Sequence, residues 1–370
     1  MVSSESRTHP PRILVVSRGG VLGSAEGDQV QGFRLFGKGL EASLGVSIEM
    51  AVAGATGDVE QAVDAHPADV VFVMLSWAVP PDESSALFER LARRHPETKF
   101  VFLDYYAPSS SPHFGVLPYV ERYVKRQVLR DRSLYTRNYL GGNVFADYVA
   151  NQLGIDLEGW HFGVAPDPAY LDKIVAGWNF GVTGRNRDLL RWSRVMSPSW
   201  GRRPIAIHRR VGSVAPAGEA EWYHRYRQLG LRRLEPVSRS FLSTGVARVS
   251  RQRYLTEMML SRVVFSPFGW GELCFRDYEA VCCGCLLIKP SMDHLQTNPD
   301  IFSAYQTYVP VRWDFADLEE TCVHYLTHPD EAQAIIENAQ QVMLRYFREG
   351  GFVADIGRCL FGADPIPPTA

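Results

Sequence analysis

The segment Ser261-Arg-Val-Val-Phe-Ser-Pro-Phe-Gly-Trp-Gly-Glu-Leu-Cys-Phe-Arg-Asp-Tyr-Glu-Ala-Val-Cys-Cys-Gly-Cys-Leu-Leu-Ile-Lys-Pro290 reads as strand, glycine-bearing loop, helix, glycine stop and strand. The run 262–265 is short, apolar and rich in valine, which suits a buried strand. Gly269 and Gly271 allow a sharp turn and a close backbone approach to a ligand. A helix over 272–283 follows, and it places Arg276, Glu279 and Cys283 at i, i+3 and i+7, on one face. Gly284 ends it, and 285–288 returns to a sheet. A helix opening from such a loop directs unpaired N–H groups and a positive dipole end at its ligand, which favours a phosphate or diphosphate.

The same alternation extends both ways. Upstream, strands are expected at 12–17, 47–53, 69–75 and 99–105, with helices over 34–44 and 83–94. Continuous apolar strands between helices indicate a parallel sheet covered on both faces. Segments 119–129, 143–153, 169–178 and 187–195 carry helical spacing, and the turn-rich 197–204 suggests a domain junction. Beyond it, strands at 204–208, 262–265, 285–288 and 307–311 alternate with helices at 219–228, 251–260, 272–283 and 316–326. A long helix over 330–347 and a shorter one ending near 361 close the chain. The fold class is therefore α/β, with two Rossmann-like doubly wound domains facing each other across a cleft. The domains are expected at 1–196 and 197–345, with a tail, 346–370, packing back on the first.

The chain has 370 residues, 46% hydrophobic and 22% charged, which describes a globular protein and excludes disorder or a rod. Net charge is −2, so no global field attracts nucleic acid, and no nucleic-acid partner is expected. Between Arg185 and Arg253, however, sixteen arginines and no lysine face four acidic residues. That stretch suits phosphates or an anionic membrane surface. The six cysteines do not make a disulfide framework, no run reaches membrane-spanning length, and the first residues lack a signal-peptide core. A cytoplasmic protein is expected, with peripheral contact at the inner membrane face as a further expectation.

The arrangement Arg-x-x-Glu-Ala-x-x-x-Gly-Cys over 276–285, flanked by Phe265-Ser-Pro-Phe-Gly-Trp-Gly-Glu272, resembles the donor-binding segment of GT-B glycosyltransferases. It is closest to the exostosin-like and group 1-like branches, and Thr307-Tyr-Val-Pro-Val-Arg-Trp-Asp-Phe-Ala-Asp-Leu318 adds to the likeness. The resemblance implies transfer of a sugar from a nucleotide-diphosphate donor to a hydroxyl acceptor, in cell-surface polysaccharide or glycolipid assembly. It implies that Glu279 holds the donor ribose, beside Arg276. It also implies that Gly269, Trp270, Gly271 and Glu272 face the diphosphate and sugar, and that Arg209 or Arg210 neutralises the leaving group. No catalytic metal or other cofactor is expected. The partners are a nucleotide sugar and a glycan or lipid-linked acceptor. Glu272 and Glu279 are seven apart, against eight between paired glutamates in many retaining relatives, so no stereochemical outcome carries over. Two other readings fit: a nucleotide-sugar epimerase of GT-B-like fold, or a non-catalytic nucleotide-binding assembly module.

In the first half, Asp104 ends a strand beside Ala107-Pro-Ser-Ser-Ser-Pro-His113, so Asp104 or His113 is the candidate general base of an inverting enzyme. Arg276 with Glu279 has a plainer alternative, an exposed helical ion pair worth a few tenths of a kcal/mol. Cys282-Cys-Gly-Cys285 formally matches Cys-x-x-Cys, but too few partners surround it for structural zinc, and packed thiols are the default. Gly19-Gly20 and Gly23 form a loose glycine turn without the Gly-x-Gly-x-x-Gly spacing, which disfavours a nicotinamide dehydrogenase.

Overall fold

Two parallel sheets organise the computed structural model, which describes residues 10–19, 24–214 and 221–361. Gly20, Gly23 and Glu219, singled out above, lie outside them. The first sheet is built from β1 (Arg12–Ser17), α1 (Ala25–Leu44), β2 (Ser47–Val52), α2 (Thr56–Ala65), β3 (Val70–Val73), α3 (Pro81–Arg94) and β4 (Lys99–Asp104), followed by β5 (Arg122–Lys125). After β6 (Gln127–Leu129) and α4 (Val144–Leu153), β7 (Ile174–Ala176) completes it. Its strand order is β2-β1-β3-β4-β5-β7, parallel throughout. Val70–Val73 is buried along its whole length, the mark of a strand covered on both faces.

Two expected helices are strands here. Residues 119–129 form β5 and β6, and 169–178 form a short 3-10 turn followed by β7. Tyr123 and Val124 are both fully buried, on opposite faces of a strand held between β4 and β7. Between β5 and β6 the Arg126 guanidinium runs under the start of α1, where Nε donates to Gln29 Oε1 at 2.5 Å. Tertiary pairing overrode a helix-compatible spacing.

The second sheet follows α5 (Gly184–Met196). Its elements are β8 (Ile205–His208), α6 (Trp222–Ser240), α7 (Arg251–Met259), β9 (Ser261–Phe265), α8 (Phe275–Cys282), β10 (Leu286–Pro290), β11 (Leu295–Thr297) and β12 (Val309–Val311). The order is β12-β10-β9-β8, parallel, and an isolated parallel bridge from Ile207 to Ser243 extends it beyond β8. Strand order therefore reverses at β8, and ligands of open α/β sheets bind outside the carboxyl end of such a strand. The helices α9 (Leu318–Thr327), α10 (Pro329–Arg348) and α11 (Gly351–Phe361) end the described chain.

The two sheets are physically tied. β6 pairs antiparallel with β11, and Arg130 donates to the carbonyls of Asp293 and Leu295. α5 packs on α8, while α11 returns to α1. There Phe352 is fully buried, edge-on to Phe33 and Trp178, and a Cβ on Gly32 would stand 2.2 Å from its ring. No helix among the described residues is long and apolar enough to cross a membrane. Phe352→Ala is expected to cost about 3–5 kcal/mol through the cavity it leaves. Gly32→Val is expected to destabilise through overlap with the same ring. Denaturant titration of the purified variants against the parent measures both.

Candidate functional site

A cleft of about 970 Å³ opens between the two sheets. The element that shapes it is α8. Its N-cap is Cys274, and Asp277 at the third helical position accepts from the Cys274 N–H at 2.9 Å and from Ser266 Oγ at 2.5 Å. Lys289 Nζ, fully buried, stands 3.1 Å from the same carboxylate. This capping leaves the N-terminal end of α8 fixed, with Cys274, Phe275 and Arg276 on the cleft wall. The helix begins at Phe275 rather than near Glu272, because 267–274 is loop.

Gly269, Trp270 and Gly271 line the cleft as expected positions of that loop, but Glu272 does not. Its side chain turns away and is fully buried against the first domain. It accepts from the Ser109 N–H (3.2 Å), Ser109 Oγ (2.9 Å) and Gln127 Nε2 (2.8 Å), with His294 Nε2 at 3.7 Å. Gly271 makes this approach feasible, since a Cβ there would lie 1.9 Å from the Ala107 carbonyl oxygen. The Trp270 ring bridges the gap, edge-on to Trp77 at 5.9 Å and to Phe162 at 5.1 Å. Glu272 is thus an inter-domain latch, which corrects its assignment to the sugar.

Glu279 is 2% exposed and lines the cleft, where its Oε1 accepts from Arg251 Nη2 at 2.6 Å. It is not a solvated surface acid. Arg276 stands beside it on the wall, with Nη1 3.4 Å from Ser266 Oγ and Nε buried without a partner. Arg209 and Arg210 separate. Arg209 bonds the Thr244 carbonyl and lies 3.2 Å from Glu235, away from the cleft lining, so it is removed from the site. Arg210 lines the cleft, but its guanidinium is engaged by both Glu257 oxygens and the Ala247 carbonyl. The Glu257 carboxyl falls to about 2 as a result. Arg210 shapes the wall more than it offers free hydrogens.

Both candidate bases are corrected. Asp104 is fully buried; it accepts from Lys125 Nζ at 2.6 Å, Tyr123 Oη at 2.9 Å and the Tyr106 N–H at 2.8 Å. Those three donors hold it as the keystone of a loop, out of reach of an acceptor. His113 is fully buried too, its Nδ1 2.9 Å from Ser84 Oγ, and burial pulls its pKa down to about 4. Neither residue belongs to the cleft lining. Cys282, Cys283 and Cys285 are packed thiols; burial pushes Cys285 up to about 11, the wrong direction for a metal-binding thiolate.

Two lining residues that sequence reasoning did not single out, Arg227 and Tyr254, join the site, and His208 lies behind its wall. Arg227 reaches from α6 to the Phe268 and Gly212 carbonyls and lies under Gly269. Tyr254 lines the cleft beside Arg251. His208, at the carboxyl end of β8, is fully buried edge-on to Tyr254 at 5.0 Å, with both ring nitrogens unpartnered. Burial, with the Arg276 charge next, lowers its pKa to about 3. Arg227 was visible only as one arginine among sixteen. The described lining residues include six arginines (185, 210, 227, 248, 251 and 276) and one acid, Glu279, which holds Arg251, while Asp28 and Glu257 behind the wall pair with Arg185 and Arg210.

The two Rossmann-like domains and their cleft make the GT-B fold, and residues 171–349 match the family model described as glycosyl transferase-like, in keeping with the group 1-like glycosyltransferases. Among solved structures, sucrose-phosphate synthase from Thermosynechococcus elongatus is similar at 12% identity and TM-score 0.50, covering 95% of this chain and 99% of its own. The catalytic domain of starch synthase IV from Arabidopsis thaliana, bound to ADP and acarbose, gives 12% and 0.47, with coverage of 95% and 99%. UDP-GlcNAc 2-epimerase from Neisseria meningitidis, bound to UDP-GlcNAc, gives 13% and 0.44, with 95% and 100%. No curated protein matches the sequence.

The two depressed histidines set an acid limit. Their folded pKa values lie below the unfolded value of about 6.5, so the unfolded chain binds protons that the folded one refuses. Stability is then full above that value and is lost as pH falls toward 4. Denaturant midpoints measured across that range should fall less steeply in His113→Gln than in the parent. Glu272→Ala is expected to lower the midpoint at neutral pH by leaving buried donors unpaired, about 1–3 kcal/mol for each.

Proposed function

We propose that this protein transfers a sugar from a nucleotide-diphosphate donor to a hydroxyl acceptor, in cell-surface polysaccharide or glycolipid assembly. The observation that carries the reading is the cleft's charge: six arginines against the three carboxylates that pair with them, Asp28, Glu257 and Glu279, which leaves an excess of positive charge next to the strand where sheet order reverses. In sugar transfer, negative charge gathers on the departing diphosphate as the glycosidic bond breaks. Arg276, Arg227 and the free N–H groups of α8 answer that charge from fixed positions, in a partly desolvated site. Arginines and a helix end perform this neutralisation without a metal ion.

Glu279, oriented by Arg251, accepts hydrogen bonds from the donor ribose hydroxyls. Its geometry suits this role because it sits one turn inside the helix whose start meets the phosphates. The acceptor, a glycan or a lipid-linked sugar, would enter from the first-domain side, where Trp77, Tyr105 and Trp270 offer aromatic faces. With Asp104 and His113 excluded, no side chain is assigned as base, and the reading includes no stereochemical outcome. A cytoplasmic location belongs to the same proposal.

A thermal-shift screen of nucleoside diphosphates tests the site. One of them is expected to raise the melting temperature of the parent, with about 2.7 kcal/mol of stabilisation at a hundredfold excess over Kd. Glu279→Ala and Arg276→Gln should each lose most of that response. An equal response in all three proteins would remove the assignment. Incubation with the matching nucleotide sugar alone then separates transfer from epimerisation, since a transferase releases free sugar slowly and returns no epimerised donor.

A further inference from the structure

The structure resolves the arginine-rich stretch into two populations. Most of its arginines are consumed internally: Arg185 by Asp28, Arg187 by Asp188, Arg209 by Glu235, Arg225 by Glu158 and Glu221, and Arg203 by buried carbonyls. Arg191 and Arg194, on the outer face of α5, and Arg202, on the short turn after it, have no acidic partner among the described residues and are exposed. Arg194 shares a groove with Glu337 of α10, yet forms no ion pair with it.

Beside these arginines stands an apolar edge. Trp192 is 60% exposed, Val195 81% and Met196 67%, all within the last turn and a half of α5. At 100° per residue, Val195, Trp192 and Met196 follow one another around the exposed face, with Arg191 and Arg194 on the adjoining flank. The opposite face is closed, because Asn186, Leu190 and Ser193 are buried toward α8. Single exposed apolar residues are ordinary; three contiguous ones flanked by unpaired cations are not.

We propose that this edge of α5 docks on an anionic bilayer, with Trp192, Val195 and Met196 entering the headgroup region while Arg191, Arg194 and Arg202 contact lipid phosphates. Indole and thioether side chains suit the interface, and arginine suits phosphate. The charge pattern favours lipid over a second copy of the chain, since two such faces would set like charges together. The helix also ties the surface to the cleft: Arg185 at its start lines the cleft, and Met196 lies about 16 Å further along the axis. A docked α5 thus holds the cleft near the membrane. The proposal stands on surface residues alone and is independent of the catalytic reading.

Co-sedimentation of the full chain with phosphatidylcholine vesicles, with and without phosphatidylglycerol, tests it. Binding is expected only with the anionic lipid and should fall as salt rises. The variant Arg191→Gln/Arg194→Gln/Arg202→Gln should bind about a hundredfold more weakly, at roughly fivefold per charge. Trp192→Ser/Val195→Ser/Met196→Ser should also lose binding, with melting temperature unchanged because every altered side chain is exposed. Equal binding by parent and variants would overturn the proposal, as would no binding to anionic vesicles. So would self-association of the parent that the serine variant abolishes, which would assign the face to a second copy.

Discussion

A buried carboxylate, Glu272, is the contact on which the geometry of the cleft depends. It leaves the second domain and is received by the N–H and hydroxyl of Ser109 and the amide of Gln127 in the first. A carboxylate removed from water is costly unless hydrogen-bonded, so these donors make the joint specific: few other placements of the two domains would satisfy it. The loop before it is fixed by the same contact. Gly271 presses on Ala107, and Trp270 lies between Trp77 and Phe162. The β6–β11 ribbon lies alongside and gives the joint backbone hydrogen bonds as well.

Charge in this protein is arranged by burial. The first domain holds Asp104 with Lys125, and the second holds Asp277 with Lys289, each pair deep at a strand's carboxyl end. Both pairs serve shape: one braces the loop that receives Glu272, the other caps the helix that faces the cleft. The arginines are on a different footing. Where a carboxylate or carbonyl meets them they build walls, as Arg210 does with Glu257. Where none does, as with Arg248 and Arg276 in the cleft and Arg191, Arg194 and Arg202 near the end of α5, they remain available to an anion from outside.

Much of the fold was legible, and the reason is the two-sided burial of parallel strands. Arg12–Ser17 and Lys99–Asp104 are runs that no loop or amphipathic helix would carry. The failures at 119–129 and 169–178 share a cause: short strands of three or four residues have too few positions to show a period, and their neighbours decide the outcome. Glu279, Arg276 and the Gly269–Gly271 loop stand together on the cleft wall, and that grouping was visible because their spacing on a strand-loop-helix unit is local. Asp104, His113 and Glu272 were misplaced because a carboxylate or imidazole at a strand end or loop looks alike in sequence whether it faces a cleft or a buried donor.

The chain by itself determined the two α/β halves, the glycine turn and the helix face bearing Glu279, since each follows from contacts among residues close in sequence. Only the tertiary structure decided which acids are structural, which arginines stay unpaired, and that Arg227 and Tyr254 join the same site. Those outcomes rest on partners in other elements, from Lys125 twenty-one residues beyond Asp104 to Ser109 more than a hundred before Glu272, and on desolvation, which belongs to the packed molecule and not to any segment of it.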